Sequence, residues 1–119
     1  MRRRALLVVE DNTDLREYFQ LALRHAGHTV SVASDGVEAL RRIDAGLLPD
    51  VVILDLGLPV LSGQDVLAEL AAHAPTRSIP VIIVTGLPVR PSLPNVHCTL
   101  LKPVTAEQLL VIVEECVAS

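Results

Sequence analysis

The stretch 50-DVVILDLGLP-59 decides the fold. Val51, Val52, Ile53 and Leu54 form an unbroken aliphatic run between Asp50 and Asp55, too short for a helix and rich in β-branched side chains. A short run of this kind without polar alternation is a strand buried on both faces. Gly57 and Pro59 break the chain directly after it, which leaves Asp55 at the strand's carboxyl end.

The pattern repeats outward from this strand. Residues 5–10, ALLVVE, are a second buried run, ending in an acid. Asn12 is placed to cap the helix that follows, in which Leu15, Phe19, Ala22, Leu23 and Ala26 recur at helical spacing until Gly27. Residues 29–34 alternate Val30 and Val32 with small polar side chains, as an edge or half-buried strand does. Val37, Leu40 and Ile43 mark a helix that starts after Asp35 and ends near Gly46. On the other side of the opening stretch, Ser62 caps a helix that turns Val66, Leu67, Leu70, Ala71 and Ala74 inward before Pro75. Residues 79–84 give a fourth strand and 98–101 a short fifth. Thr105 caps a last helix with Leu109, Ile112, Val113 and Cys116 inward and Val111 on the opposite side.

One crossover departs from this pattern. Pro88, Pro91 and Pro94 stand at three-residue intervals between the fourth and fifth strands. A proline inside a helix removes a donor and clashes with the preceding turn, so residues 87–97 are expected to be irregular and nearly free of helix. Elsewhere, strands alternating with helices imply right-handed crossovers and a mostly parallel sheet with helices on both faces. The expectation is an α/β chain forming one domain over residues 1–119.

In such sheets ligands bind beyond the carboxyl ends of the strands, where strand order reverses. Glu10 and Asp11 follow the first strand, Asp55 the third, Thr85 the fourth and Lys102 the fifth. Each has an ordinary structural explanation alone: a helix-dipole partner, a solvated acid, a turn former, a surface cation. Three carboxylates converging at one sheet edge repel each other unless protons or a hard cation compensate. Mg²⁺ suits oxygen donors of this kind, being held by one or two carboxylates together with phosphate oxygens. A neighbouring ammonium and hydroxyl are the groups that would receive a phosphoryl group, so the set reads as an aspartate that accepts phosphate.

Composition narrows the alternatives. Half of the 119 residues are hydrophobic, enough for a core, and no apolar run approaches the length of a membrane span. No signal-peptide pattern follows the start, so a cytoplasmic protein without membrane insertion is expected. The net charge of −4 and the lack of aromatics beyond Tyr18 and Phe19 disfavour direct nucleic-acid binding. Arg2 to Arg4 read as a solvated tail, Cys98 and Cys116 as small core hydrophobes without metal-ligand spacing, and His25, His28, His73 and His97 as surface imidazoles.

Four segments in this order, VVEDN at 8–12, VVILDLGLPVLSG at 51–63, IIVTG at 82–86 and LLKP at 100–103, resemble the receiver domains of two-component response regulators. The resemblance covers nearly the whole chain and implies a flavodoxin-like, doubly wound, five-stranded parallel sheet of order 2-1-3-4-5, here with a degenerate fourth helix. It implies that Asp55 is the phosphoacceptor, served by a histidine kinase or histidine phosphotransfer protein. Mg²⁺ would be bound by Asp11, Asp55 and the backbone carbonyl of Gly57, with Glu10 acting through a metal-bound water. Thr85 and Lys102 would contact the phosphoryl oxygens, and Lys102-Pro103 would be a cis peptide. The activity implied is signalling, catalysing no reaction beyond the domain's own phosphorylation and dephosphorylation. The signal would pass to a downstream protein target or kinase domain, with a homodimer also allowed.

Two departures stand against the family pattern. The helix expected between Thr85 and Lys102 is interrupted by prolines, and the switch aromatic three residues before the lysine is Thr99, with His97 on a different register. Gly57 and Leu87 occupy the variable positions beside the acceptor, and neither side chain can orient an attacking water, which suggests slow self-dephosphorylation. Met1 just before the first strand favours a free-standing protein, while a receiver cut from a longer regulator fits equally. The competing function is a degenerate receiver acting as a non-phosphorylated scaffold. An aspartate-based phosphohydrolase would need a second carboxylate at position 57, where Gly57 stands.

Overall fold

Five short aliphatic runs become the strands of a single sheet in the computed structural model, which describes residues 3–117. The elements are β1 (Ala5–Val9), α1 (Thr13–His25), β2 (Thr29–Ala33), α2 (Gly36–Asp44), β3 (Val51–Leu54), α3 (Gly63–Ala72), β4 (Val81–Thr85), β5 (Val96–Leu101) and α4 (Ala106–Val117). All strand pairs are parallel and the order is β2-β1-β3-β4-β5, as expected for a doubly wound sheet. Strand order reverses at β1, between β2 and β3.

Period-two geometry explains why the central strands are apolar throughout. Leu7, Val9, Val52, Leu54, Val81 and Ile83 point into one core with Val66, Leu67 and Leu70 of α3. Leu6, Val8, Val51, Ile53, Ile82 and Val84 point to the other face and pack on Phe19 and Leu23 of α1 and Leu109 and Val113 of α4. Each such side chain, fully removed from water, contributes about 1.5–3 kcal/mol. Breaking one central strand therefore disturbs two cores.

The helices start where their caps stand. Asn12 Oδ1 accepts from Leu15 N (2.9 Å), Asp35 Oδ1 from Glu38 N (2.7 Å) and Ser62 Oγ from Asp65 N (3.1 Å). Thr105 and Gln108 exchange bonds, Gln108 N donating to Thr105 Oγ1 at 3.1 Å and Thr105 N to Gln108 Oε1 at 2.8 Å, which is a capping box.

The chain does possess a fourth helix, the well-formed α4 after β5; the missing helix is the one a β4–β5 crossover would carry. Residues 86–95 contain no helical residue, and Leu87, Val89 and Leu93 along them are exposed. Lys102-Pro103 is cis.

Several local expectations are corrected. The helix before Pro75 ends at Ala72, and Ala74 is exposed in the turns that follow. β5 begins at Val96, and its pairing skips from Val96 to Cys98, so His97 is an extra, bulged residue. Arg2 and Met1 lie outside the described residues, but Arg4 is no solvated tail: it is half-buried and donates to Val117 O at 3.1 Å. His28 is buried rather than on the surface, because the turn at Gly27 (φ 99°) leads the chain directly into β2 and brings the ring to the Arg4 amide. Cys98 and Cys116 are free thiols packed against the second core, as expected of small hydrophobes. Among the described residues no helix is long and apolar enough to cross a membrane.

Candidate functional site

The carboxyl ends of β1 and β3 are locked together, and this brings the acids into one cluster. Glu10 N donates to Ala33 O and Asp55 N to Val9 O, each at 3.1 Å, so both residues continue the ladder one step past their strands. Glu10, Asp11 and Asp55 offer carboxylate oxygens that lie within 4.8 Å of one another. Glu10 and Asp55 are buried and Asp11 is exposed at the mouth.

Lys102 enters from the end of β5, held by its N–H to Thr85 O at 2.8 Å. Its ammonium lies 2.8 Å from Glu10 Oε1 and 3.2 Å from Asp55 Oδ2. The closer contact, to Glu10, was not legible in the sequence, where Lys102 is matched to Asp55. Burial alone would pull the Lys102 ammonium down, but the hydrogen bond and charge of Glu10, with Asp55 beside it, outweigh burial and hold it above its ordinary value. Burial pushes the Glu10 carboxyl up, against the bonds it accepts from Lys102 and from Asn12 N–H.

Asp55 Oδ1 accepts the Gly57 N–H at 3.1 Å, which fixes one carboxylate oxygen and leaves Oδ2 to Lys102. Gly57 thus reaches the site through its amide. Thr85 is fully buried, and its hydroxyl accepts from Leu87 N at 3.2 Å, leaving its own proton free to be donated. Two supports were missed from sequence. Arg16 Nη1 donates to Glu10 O at 2.9 Å, and Gly63 packs its Cα against the Asp55–Leu56 backbone. Gly63, at the first position of α3, carried a signal in hindsight, since a glycine there gains little for the helix and needs a packing reason.

With all three carboxylates ionised against one ammonium, the cluster carries a net charge of minus two, which one divalent cation would balance. Two carboxylates this close cost about 3–4 kcal/mol in mutual repulsion at the effective dielectric of such a site. The donors are all hard oxygens, which fits Mg²⁺ and disfavours softer metals.

The profile of the family described as response regulator receiver domain matches residues 6–114. The chain belongs to that family. The receiver is 40% identical over 81 residues to the two-component response regulator PhoP of Pseudomonas aeruginosa, covering 68% of this chain and 35% of that protein. It is 43% identical over 83 residues to the sensory transduction protein RegX3 of Mycobacterium tuberculosis, covering 69% of this chain and 34% of that protein. The chain therefore spans only part of the length of the curated relatives it matches. Among solved structures, the receiver domain of a sensor histidine kinase of Pseudomonas aeruginosa, with a magnesium ion coordinated in its active-site cleft, superposes with a TM-score of 0.87 at 25% identity. That match covers 99% of this chain and all of the other. The chemotaxis response regulator CheY4 of Vibrio cholerae shares the fold, with a TM-score of 0.86 at 24% identity over 98% of this chain and 100% of that one.

Proposed function

We propose that this receiver takes a phosphoryl group onto Asp55 from a phosphohistidine on a histidine kinase or phosphotransfer protein. The observation that carries the proposal is the buried Asp55 carboxylate within the acid trio, with Lys102 at 3.2 Å. In the transfer, Asp55 Oδ attacks phosphorus, an O–P bond forms, the P–N bond breaks, and the imidazole leaves with its electron pair. Asp11, Asp55 and the Gly57 carbonyl would hold Mg²⁺, with Glu10 acting through a water. When bound, Mg²⁺ supplies the positive charge that offsets both the carboxylates and the incoming phosphoryl oxygens. Lys102 then pairs with one phosphoryl oxygen, and the Thr85 hydroxyl donates its free proton to another.

That last step has a consequence for signalling. Thr85 Oγ1 now holds the Leu87 N–H, the first link of the helix-free crossover. Drawing the hydroxyl inward weakens this bond and repositions residues 86–97, in place of the usual helix and aromatic. The output is contact with a downstream protein, and the chemistry suits a cytoplasmic location.

The test is intact mass after incubation with acetyl phosphate and Mg²⁺, with Asp55→Asn as control. Wild type should gain one phosphoryl group, lost on removing Mg²⁺, and the variant none. A wild type that never gains mass while still binding a partner would establish the scaffold function instead.

A further inference from the structure

At the opposite end of the sheet from the acid cluster, Arg4 ties the start of β1 to the residue before β2 and to the end of α4. Arg4 precedes β1, His28 precedes β2 and Glu114 lies in the last part of α4. Arg4 N donates to His28 Nδ1 at 3.1 Å, and Arg4 Nη2 donates to Val117 O at 3.1 Å. Arg4 Nε, His28 Nε2 and Glu114 Oε1 are each buried without a hydrogen-bond partner among the described residues. A buried polar atom left unpaired costs about 1–3 kcal/mol, so each of the three calls for an explanation.

We propose that Arg4 and His28 form a proton-operated clasp that fastens the C-terminal turn of α4 to the start of β1.

The hydrogen bonds assign the ring's state. Because Nδ1 accepts the Arg4 amide proton, the single proton of a neutral ring sits on Nε2. Protonating Nδ1 sets a donor against the Arg4 N–H and a second cation beside the Arg4 guanidinium. The clasp then loses its central bond, and with it the alignment of Arg4 on Val117 O. Among the described residues, Arg3 is engaged on Gly27 O and Arg24 on Val30 O, while His25 is exposed. Burial holds the proton off His28, Glu114 opposes that and Arg4 reinforces it, so the folded ring ionises below its ordinary value. The opened state therefore takes the proton first. The clasp is at full strength above the ordinary histidine value of about 6.5 and weakens as pH falls from there toward the folded value.

Amide hydrogen exchange followed by NMR at about pH 7.5 and about pH 5.5 tests the clasp, after correction for the intrinsic pH dependence of exchange. Protection of residues 113–117 should fall on acidification, by at most about tenfold as the ordinary histidine value sets it, while the centre of β1 is unchanged. His28→Gln, which keeps one acceptor and one donor but cannot be protonated, should abolish that fall. Protection at 113–117 that ignores pH in wild type, or that still falls in His28→Gln, overturns the proposal. Should His28→Gln not fold, ring ¹⁵N shifts of the wild type decide: a neutral ring with its proton on Nδ1 refutes the clasp.

Discussion

Gly63→Ala tests the idea that the acceptor carboxylate is positioned by a backbone crossing that only glycine permits. A methyl on Gly63 would lie 2.5 Å from Leu56 Cα and 2.8 Å from the Asp55 carbonyl carbon, and would run into the Asp55 carbonyl oxygen. All three obstacles are backbone, so no side-chain rotation relieves them. Gly63 N–H is also bonded to Leu56 O at 3.1 Å, which holds the crossing closed. The methyl must displace either the first turn of α3 or the peptide that carries Asp55. Overpacking of a dense core costs about 1–3 kcal/mol, and a clash against fixed backbone belongs at or beyond the top of that range. With a urea dependence of about 1–3 kcal/mol per molar, a loss of about 3 kcal/mol lowers the midpoint by roughly 1–3 M. Phosphorylation measured below the unfolding transition should fall as well, since the Asp55 backbone is what moves. Gly86→Ala is the matched control: a methyl there meets nothing within 4 Å, and loss of unfolded-state entropy makes it neutral or stabilising by up to about 1 kcal/mol. If Gly63→Ala unfolds within about 0.5 kcal/mol of wild type, the crossing does not position Asp55 and the reasoning fails.

Two further outcomes are expected. Lys102→Met leaves Glu10 and Asp55 close together with no cation, so the metal-free variant should lose about 1–3 kcal/mol and recover more stability on adding Mg²⁺ than wild type does, as read by thermal unfolding with and without the ion. Burial, with Cys98 and Glu115 beside it, pushes the Cys116 thiol up to about 12, so alkylation of the native protein near neutral pH should run roughly a thousandfold slower than in urea, by mass spectrometry; comparable rates would contradict that burial.

How much of this was legible in the sequence depends on whether a feature is local. Asn12, Asp35, Ser62 and Thr105 cap their helices because a cap needs only a residue and the amides just after it. The buried strands announced themselves because two-sided burial removes polar alternation. The convergence of Glu10, Asp11 and Asp55 was legible through topology, since parallel strands place their carboxyl ends on one edge. What escaped required knowing which side chain meets which across the fold. Nothing near Lys102 reveals that Glu10 is its closer partner. His28 sits between a glycine and a threonine, and its burial follows from the direction in which the Gly27 turn carries the chain. The bulge at His97 arises from the pairing of β5 with β4, which a strand's own residues do not encode.

The crossover without a helix and the intact acid cluster are compatible because the site is anchored elsewhere. Glu10 is tied to β2 through Ala33 O, Asp55 to β1 through Val9 O, and Lys102 to β4 through Thr85 O. Asn12 N–H and Arg16, both at the start of α1, hold Glu10, and Gly63 of α3 supports Asp55. None of these bonds involves residues 86–95. A change in that segment therefore leaves these anchors of the acid cluster in place, whereas any change in how β1 and β3 pair would disturb them. Among the described residues, the one hydrogen bond from the crossover to a site side chain is Leu87 N to Thr85 Oγ1. An irregular segment has no i to i−4 ladder to resist the loss of that bond, so movement at Thr85 reaches the exposed Leu87 and Val89 with less opposition than a helix would offer. On the proposed function, the missing crossover helix thus bears on how the site is read, while the acid cluster itself is held by the sheet.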